Sequence, residues 1–142
     1  PERAARGTFV RTPGGVRAYG ADMTALDLQP PVPVMTDLAD LAALVEVQPD
    51  ATVSRTVLTA QGARIVLFAF DADQELTEHT AAVPVLLQTL DGHLRITADG
   101  RTVDLLPGGV VHLGARLPHA VQAQVPSRLA LTMLDPRLTA AR

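Results

Sequence analysis

The four histidines, His79, His93, His112 and His119, are the residues of this chain best suited to chemistry near neutral pH. There is no cysteine, which excludes disulfides, thiolate metal sites and cysteine nucleophiles. His79 lies in "ELTEHTAAVPVLLQTLDG", ahead of an apolar strand that ends at a glycine turn, and His119 lies in "LPHAVQAQV". Imidazoles in such places can ligate a divalent ion such as Zn, Mn, Fe or Ni. They can also act as general acid or base, or hydrogen-bond a bound acid or carbonyl. The plain alternative is a pair of polar groups left in an apolar interior, bonded to water or to each other. Catalytic metal sites mostly use three or more protein ligands, so a third donor is needed, and Gln88 and His112 are the candidates. On a regular strand Gln88 alternates away from Val85 and faces the other side. His112 lies across a turn from His119.

Other polar groups carry less. Glu75 and Glu78 flank His79, but strand neighbours point to alternate faces, so both read as surface charges. His93 follows a turn glycine and reads as solvated. Arg116, in the loop before His119, is placed either to draw an anionic ligand to the rim of a pocket or to sit in solvent. The chain has no Gly-x-Ser-x-Gly elbow, and its two serines, Ser54 and Ser127, have no nucleophile context. "TPGGVRAYG" lacks the Gly-Lys-Ser/Thr ending of a phosphate loop.

The composition sets the frame for these residues. The 142 residues suffice for one domain with a real core, 47% of them are hydrophobic, and the formal net charge is −3. All 12 basic residues are arginine, and aromatics make up 3%. A nucleic-acid binder would show a basic stripe or stacking rings, so that class is disfavoured. No apolar run reaches the roughly 20 residues of a membrane helix, and no apolar signal region opens the chain. A cytoplasmic protein is the expectation.

The elements that must position the histidines come in three parts. Residues 1–34 are rich in Pro, Gly and Arg and read as an extended arm, dispensable for folding. The domain proper is expected over 35–142. "MTDLADLAALVEV" opens it as a short helix capped by Thr36 or Asp37, with Leu38, Leu41, Ala42 and Val45 on one face. From Ala51 the pattern changes to about eight short strands between turn signals: "TVSRTVLTA", "ARIVLFAF", "VPVLLQTL", "HLRITA", "RTVDLL", "VVHLGA", "LPHAVQAQV" and "SRLALTML". "ARIVLFAF" is apolar on both faces, as a buried strand is. Asp91-Gly92 and Asp99-Gly100 each read as hairpin turns. Phe68, Phe70, Val85, Leu87, Val121 and Leu131 read as core or pocket wall. The class is all-β, a sandwich or small barrel.

"EHTAAVPVLLQTLDG" followed by "LLPGGVVHLGARLPHAVQA" resembles the two motifs of a small single-domain cupin, of the RmlC-like superfamily. His79 matches the first motif's leading His and Gly92 its closing Gly. Gly108 opens the second motif and His119 is its His. The resemblance runs from about Val53 to Leu134. It implies a double-stranded β-helix, or jelly-roll barrel, in which His79 and His119 face each other across the mouth. Metal-binding cupins use two histidines and a glutamate of the first motif and the histidine of the second. Here Ala81 replaces the second His and Val85 the Glu. Asp73 stands at the first Gly, Gly114 and Arg116 at the usual Pro and Gly, and Ala123 at the final Asn. Two of four ligands therefore remain. The resemblance implies a protein that binds a small molecule or a metal in the barrel through His79, His119 and Arg116. A metal-dependent enzyme of dioxygenase or isomerase type and a structural dimerisation domain are the alternatives. A homodimer is expected, since "ATVSRTVLTA" reads as a strand with a free edge.

Overall fold

The alternation of apolar and polar residues after Ala51 folds into nine strands in the computed structural model, which describes residues 32–140. They are β1 (Thr52–Ala60), β2 (Ala63–Phe70), β3 (Glu75–His79), β4 (Val85–Asp91), β5 (Leu94–Ala98), β6 (Arg101–Leu105), β7 (Val110–Leu113), β8 (His119–Ala123) and β9 (Ser127–Leu134). One sheet has the order β1-β2-β9-β4-β7 and the other β3-β8-β5-β6. All pairings are antiparallel. The arm expected over 1–34 lies, but for its last residues, outside the described residues. Among the described residues no helix is long and apolar enough to cross a membrane.

Inward-facing residues of both sheets make one core. Phe70, Val85, Leu87, Leu113, Leu129 and Leu131 come from the five-stranded sheet, and Leu94, Ile96, Leu105, Val121 and Ala123 from the four-stranded one. Burying each of the larger side chains is worth about 1.5–3 kcal/mol. A second cluster lies on the outer face of the five-stranded sheet, where Leu67, Ala69 and Ala130 are covered by Val45. Strand β2 thus buries Phe68 and Phe70 on one side and Leu67 and Ala69 on the other, as its two-faced apolar sequence requires.

The expected leading helix is reduced to one 3-10 turn, Leu41–Leu44, and Asp40 makes no side-chain cap. Val45 is already extended, with φ −145° and ψ 143°. Two carbonyls at the end of this segment are held by arginines of the strands. Arg55 Nη1 donates to Leu44 O at 2.9 Å, and Arg128 Nε to Val45 O at 2.9 Å. The apolar residues of this segment cover a sheet rather than form a helix face.

The two Asp-Gly pairs do different work. At Asp99-Gly100 both residues have positive φ, 54° and 69°, the two-residue turn whose twist suits a hairpin, and it joins β5 to β6. At Asp91-Gly92 the chain instead passes from the five-stranded sheet to the four-stranded one, so this turn is a corner and not a hairpin. Gly92 has φ 88°, and a Cβ there would run into Ser127 Oγ and the Pro126 carbonyl.

Candidate functional site

His79 ends β3 and His119 begins β8, and the two residues are direct partners in the antiparallel ladder. A β-bulge makes this possible. Leu76 pairs with Val121, so strict alternation would bring Glu78 opposite His119 and turn His79 outward. The register shifts between Leu76 and His79, and the extra residue returns His79 to the inner face. The imidazole centroids are 4.4 Å apart with the rings tilted by 57°. His119 is buried, 2% exposed, whereas His79 is open to solvent.

Each ring is held by its own strand. His79 Nδ1 lies 2.8 Å from Thr77 O, and His119 Nδ1 lies 2.9 Å from Leu117 O. A carbonyl only accepts, so each Nδ1 carries a proton and donates it. In the neutral imidazole the lone pair then sits on Nε2. Among the described residues neither Nε2 has a hydrogen-bond partner. Two imidazoles of the same tautomer thus present open lone pairs side by side, the arrangement that prepares histidines as ligands.

The ring separation can be compared with that of two imidazoles on one divalent ion. A metal–nitrogen bond of about 2.0–2.1 Å plus a ring half-width of about 1.1 Å puts two ligated centroids roughly 4.5–5.2 Å apart for angles of about 90–110°. The observed separation of 4.4 Å lies just below that range. The rest of a retained metal site is missing. Among the described residues no three His, Asp or Glu side chains come together to hold an ion. Ala81 packs on the inner core from the β3–β4 connection, and Val85, 1% exposed, faces it from the opposite sheet. Neither can donate a lone pair.

The remaining candidates separate. Gln88 is exposed on the outer side of β4, whose Val85, Leu87 and Thr89 turn inward. His112 is exposed on β7, in the other sheet from the histidine pair. Arg116 is exposed in the loop before β8. Its backbone N–H donates to Ala81 O at 2.7 Å and its Nη1 to Ala82 O at 3.2 Å, so it laces this loop to the β3–β4 connection just beyond His79. His93 departs from the solvated reading: its Nε2 meets Asp104 Oδ1 at 2.8 Å, and Arg95 Nε shares that oxygen at 2.9 Å. The His93 and Arg95 hydrogen bonds hold the Asp104 carboxyl below its usual pKa. Glu75 and Glu78 are exposed, as expected. Asp73 and Arg116, where the family motif has Gly, both keep the left-handed backbone that glycine favours, with φ 68° and 66°. The loop geometry of the motif is retained while two of its ligand side chains are replaced.

Two clefts lie near these elements, and neither is lined by His79 or His119. One of about 300 Å³ sits over the outer face of the four-stranded sheet, between Glu75, Arg95, Thr97 and Gln122. The other, about 100 Å³, opens between the sheets and adjoins the pair. Its wall includes Ala98, the ladder partner of His119, and Leu117, whose carbonyl holds the His119 ring. Arg101, which sequence reasoning passed over, also lines it.

No family model matches the chain, and no curated protein does. Solved structures do. A cupin superfamily protein from Desulfitobacterium hafniense is 25% identical, with 73% of this chain and 94% of that one covered and a TM-score of 0.64. A conserved protein of unknown function from Streptococcus pyogenes is 27% identical over 73% and 91% of the two chains, with a TM-score of 0.64. An RmlC-like cupin from Desulfovibrio desulfuricans is 25% identical over 71% and 97%, with a TM-score of 0.63. Two antiparallel sheets enclosing one apolar core, with these likenesses, define a cupin fold. By fold this chain is similar to proteins of the cupin superfamily.

Proposed function

We propose that this protein binds a small ligand at the His79–His119 pair, between its sheets. The carrying observation is the pair itself: two rings 4.4 Å apart, each fixed as the Nδ1–H tautomer by a backbone carbonyl. Two open lone pairs call for an electron-pair acceptor. Its class is either a divalent metal ion, with water or ligand in its other positions, or the hydrogen-bond-donating end of a small molecule. With two protein ligands an ion is held weakly, since the retained sites of enzymes use three or more.

Side-chain imidazole NMR tests this reading directly. Long-range proton–nitrogen spectra should show His79 and His119 as Nδ1–H tautomers, and Zn²⁺ or Ni²⁺ should shift both Nε2 resonances together. His79→Ala should abolish the response at His119. Rings of the other tautomer, or a response at His119 that survives His79→Ala, would overturn it. A second reading, a structural dimerisation domain, draws on the large side chains that fill the inner core. It predicts silent imidazoles in a protein that light scattering shows to be a dimer.

A further inference from the structure

One register row crosses the inner face of the four-stranded sheet from edge to edge. His79 pairs with His119, His119 with Ala98, and Ala98 with Arg101. Direct partners in a ladder project to the same face. The row therefore reads imidazole, imidazole, methyl, guanidinium. The Asp99-Gly100 turn fixes its last step, because a two-residue hairpin makes Ala98 and Arg101 the closing pair. Ala98 leaves a gap between the histidines and Arg101, and the cleft of about 100 Å³ lies there. Its floor is apolar: Ile96, Val103, Val111, Leu113 and Leu117. Arg101 is exposed on its lip and pairs with no described acidic side chain. Asp99 and His112 also reach the lip.

We propose that Arg101 is the anion anchor of this site and that the ligand is a short hydroxy acid with a single carboxylate. The inference rests on the ligand-binding reading of the histidine pair and names the chemistry it selects. A carboxylate suits the guanidinium, whose paired N–H groups match its two oxygens. A hydroxyl at the other end donates to an open Nε2. The carbon chain between them lies on the apolar floor. Adjacent strands are about 4.8 Å apart, so the backbones of His119 and Arg101 are separated by about 10 Å, with Ala98 between them and Arg101 on the wall of the cleft. A 150 Å³ cavity accommodates benzene, so a cleft of this volume takes a body of about four carbons. The Asp99 carboxylate beside Arg101 disfavours a second negative charge on the ligand.

Three four-carbon probes separate the contributions: 3-hydroxybutyrate, 1,3-butanediol and butyrate, titrated into the full chain and read by backbone and imidazole NMR. 3-Hydroxybutyrate should bind most tightly and shift His119 together with residues 96–103. The diol, without the carboxylate, should bind at least about tenfold more weakly, as expected for the loss of a charge-assisted hydrogen bond. Arg101→Gln should weaken 3-hydroxybutyrate by about the same factor and leave the diol unchanged. The Ni²⁺ response of the two imidazoles should be the same in Arg101→Gln as in the parent protein. Equal binding of acid and diol, an unaffected Arg101→Gln variant, or no binding of 3-hydroxybutyrate would overturn the anchor. Failure of the Ni²⁺ response in the parent protein would instead strike the histidine-pair reading, so the two fail separately.

Discussion

Strand β8 begins at His119, which faces His79, and just past its end the Gln124 amide donates to the His93 carbonyl at 2.9 Å. At the His93 end every polar group named has a protein partner. The His93 N–H donates to Ser127 Oγ at 2.9 Å, that hydroxyl donates to Val125 O at 2.6 Å, and the His93 ring is tied to Asp104. At the His119 end each imidazole has a protein partner on one nitrogen and leaves the other open. Buried and half-buried polar groups are normally satisfied within the fold. The difference separates a histidine that stabilises the sheet from two that are available to something outside the chain.

Substitutions at the two ends can break or sharpen that contrast. Gly92→Ala should have the largest effect, a loss of about 3 kcal/mol or more in denaturant unfolding, because it combines a left-handed backbone with a collision against Ser127. Ser127→Ala should cost about 2 kcal/mol by stranding the half-buried His93 N–H and emptying the place of the buried hydroxyl. Thr89 is the exception at this end, since its hydroxyl is fully buried without a partner, so Thr89→Val should raise stability by about 1 kcal/mol. At the other end, His79→Ala should change stability by less than about 0.5 kcal/mol while abolishing the Ni²⁺ response. A large loss there would make the pair structural and erase the contrast. The smallest effect concerns acid. Asp104 is held below its ordinary pKa by His93 and Arg95, so its contribution is present above the unfolded carboxyl pKa and lost as pH falls through the lower folded value. Asp104→Asn should lack that contribution at neutral pH, and its stability should fall less steeply than the parent's on acidification below about pH 4.

The sandwich was legible wherever a strand buries one or both faces. "ARIVLFAF" and "SRLALTML" coincide with β2 and β9 because an apolar run between turn signals is what a strand covered on both faces requires. Strand β3 was not legible as a strand. Its residues Glu75, Thr77, Glu78 and His79 are exposed, and the bulge breaks the period of two that marks a strand. The element that carries His79 was thus the one the pattern could not show, and the family motif supplied the histidine instead. The leading helix was misread because its apolar residues pack on the outer face of a sheet whose strands are distant in sequence, with Arg55 and Arg128 holding the carbonyls at its end. The Ala98–Arg101 turn was readable from Asp99-Gly100. Placing Arg101 in line with His119 further required the β5–β8 pairing, a long-range register that no local signal carries.

The bulge in β3 has a consequence for how this site can change over time. A strand counts its residues in twos, and the side on which a residue emerges is a matter of parity. Removing one residue between Leu76 and His79 would restore even spacing and set the imidazole opposite His119 with no bulge, whereas smoothing out the bulge at the present length would put Glu78 there and turn His79 to the outside. Point substitution can only alter what stands at the position. At its present length the strand therefore owes the paired site to the bulge alone, and a change that let it run in regular register would exchange His79 for Glu78 at the place opposite His119.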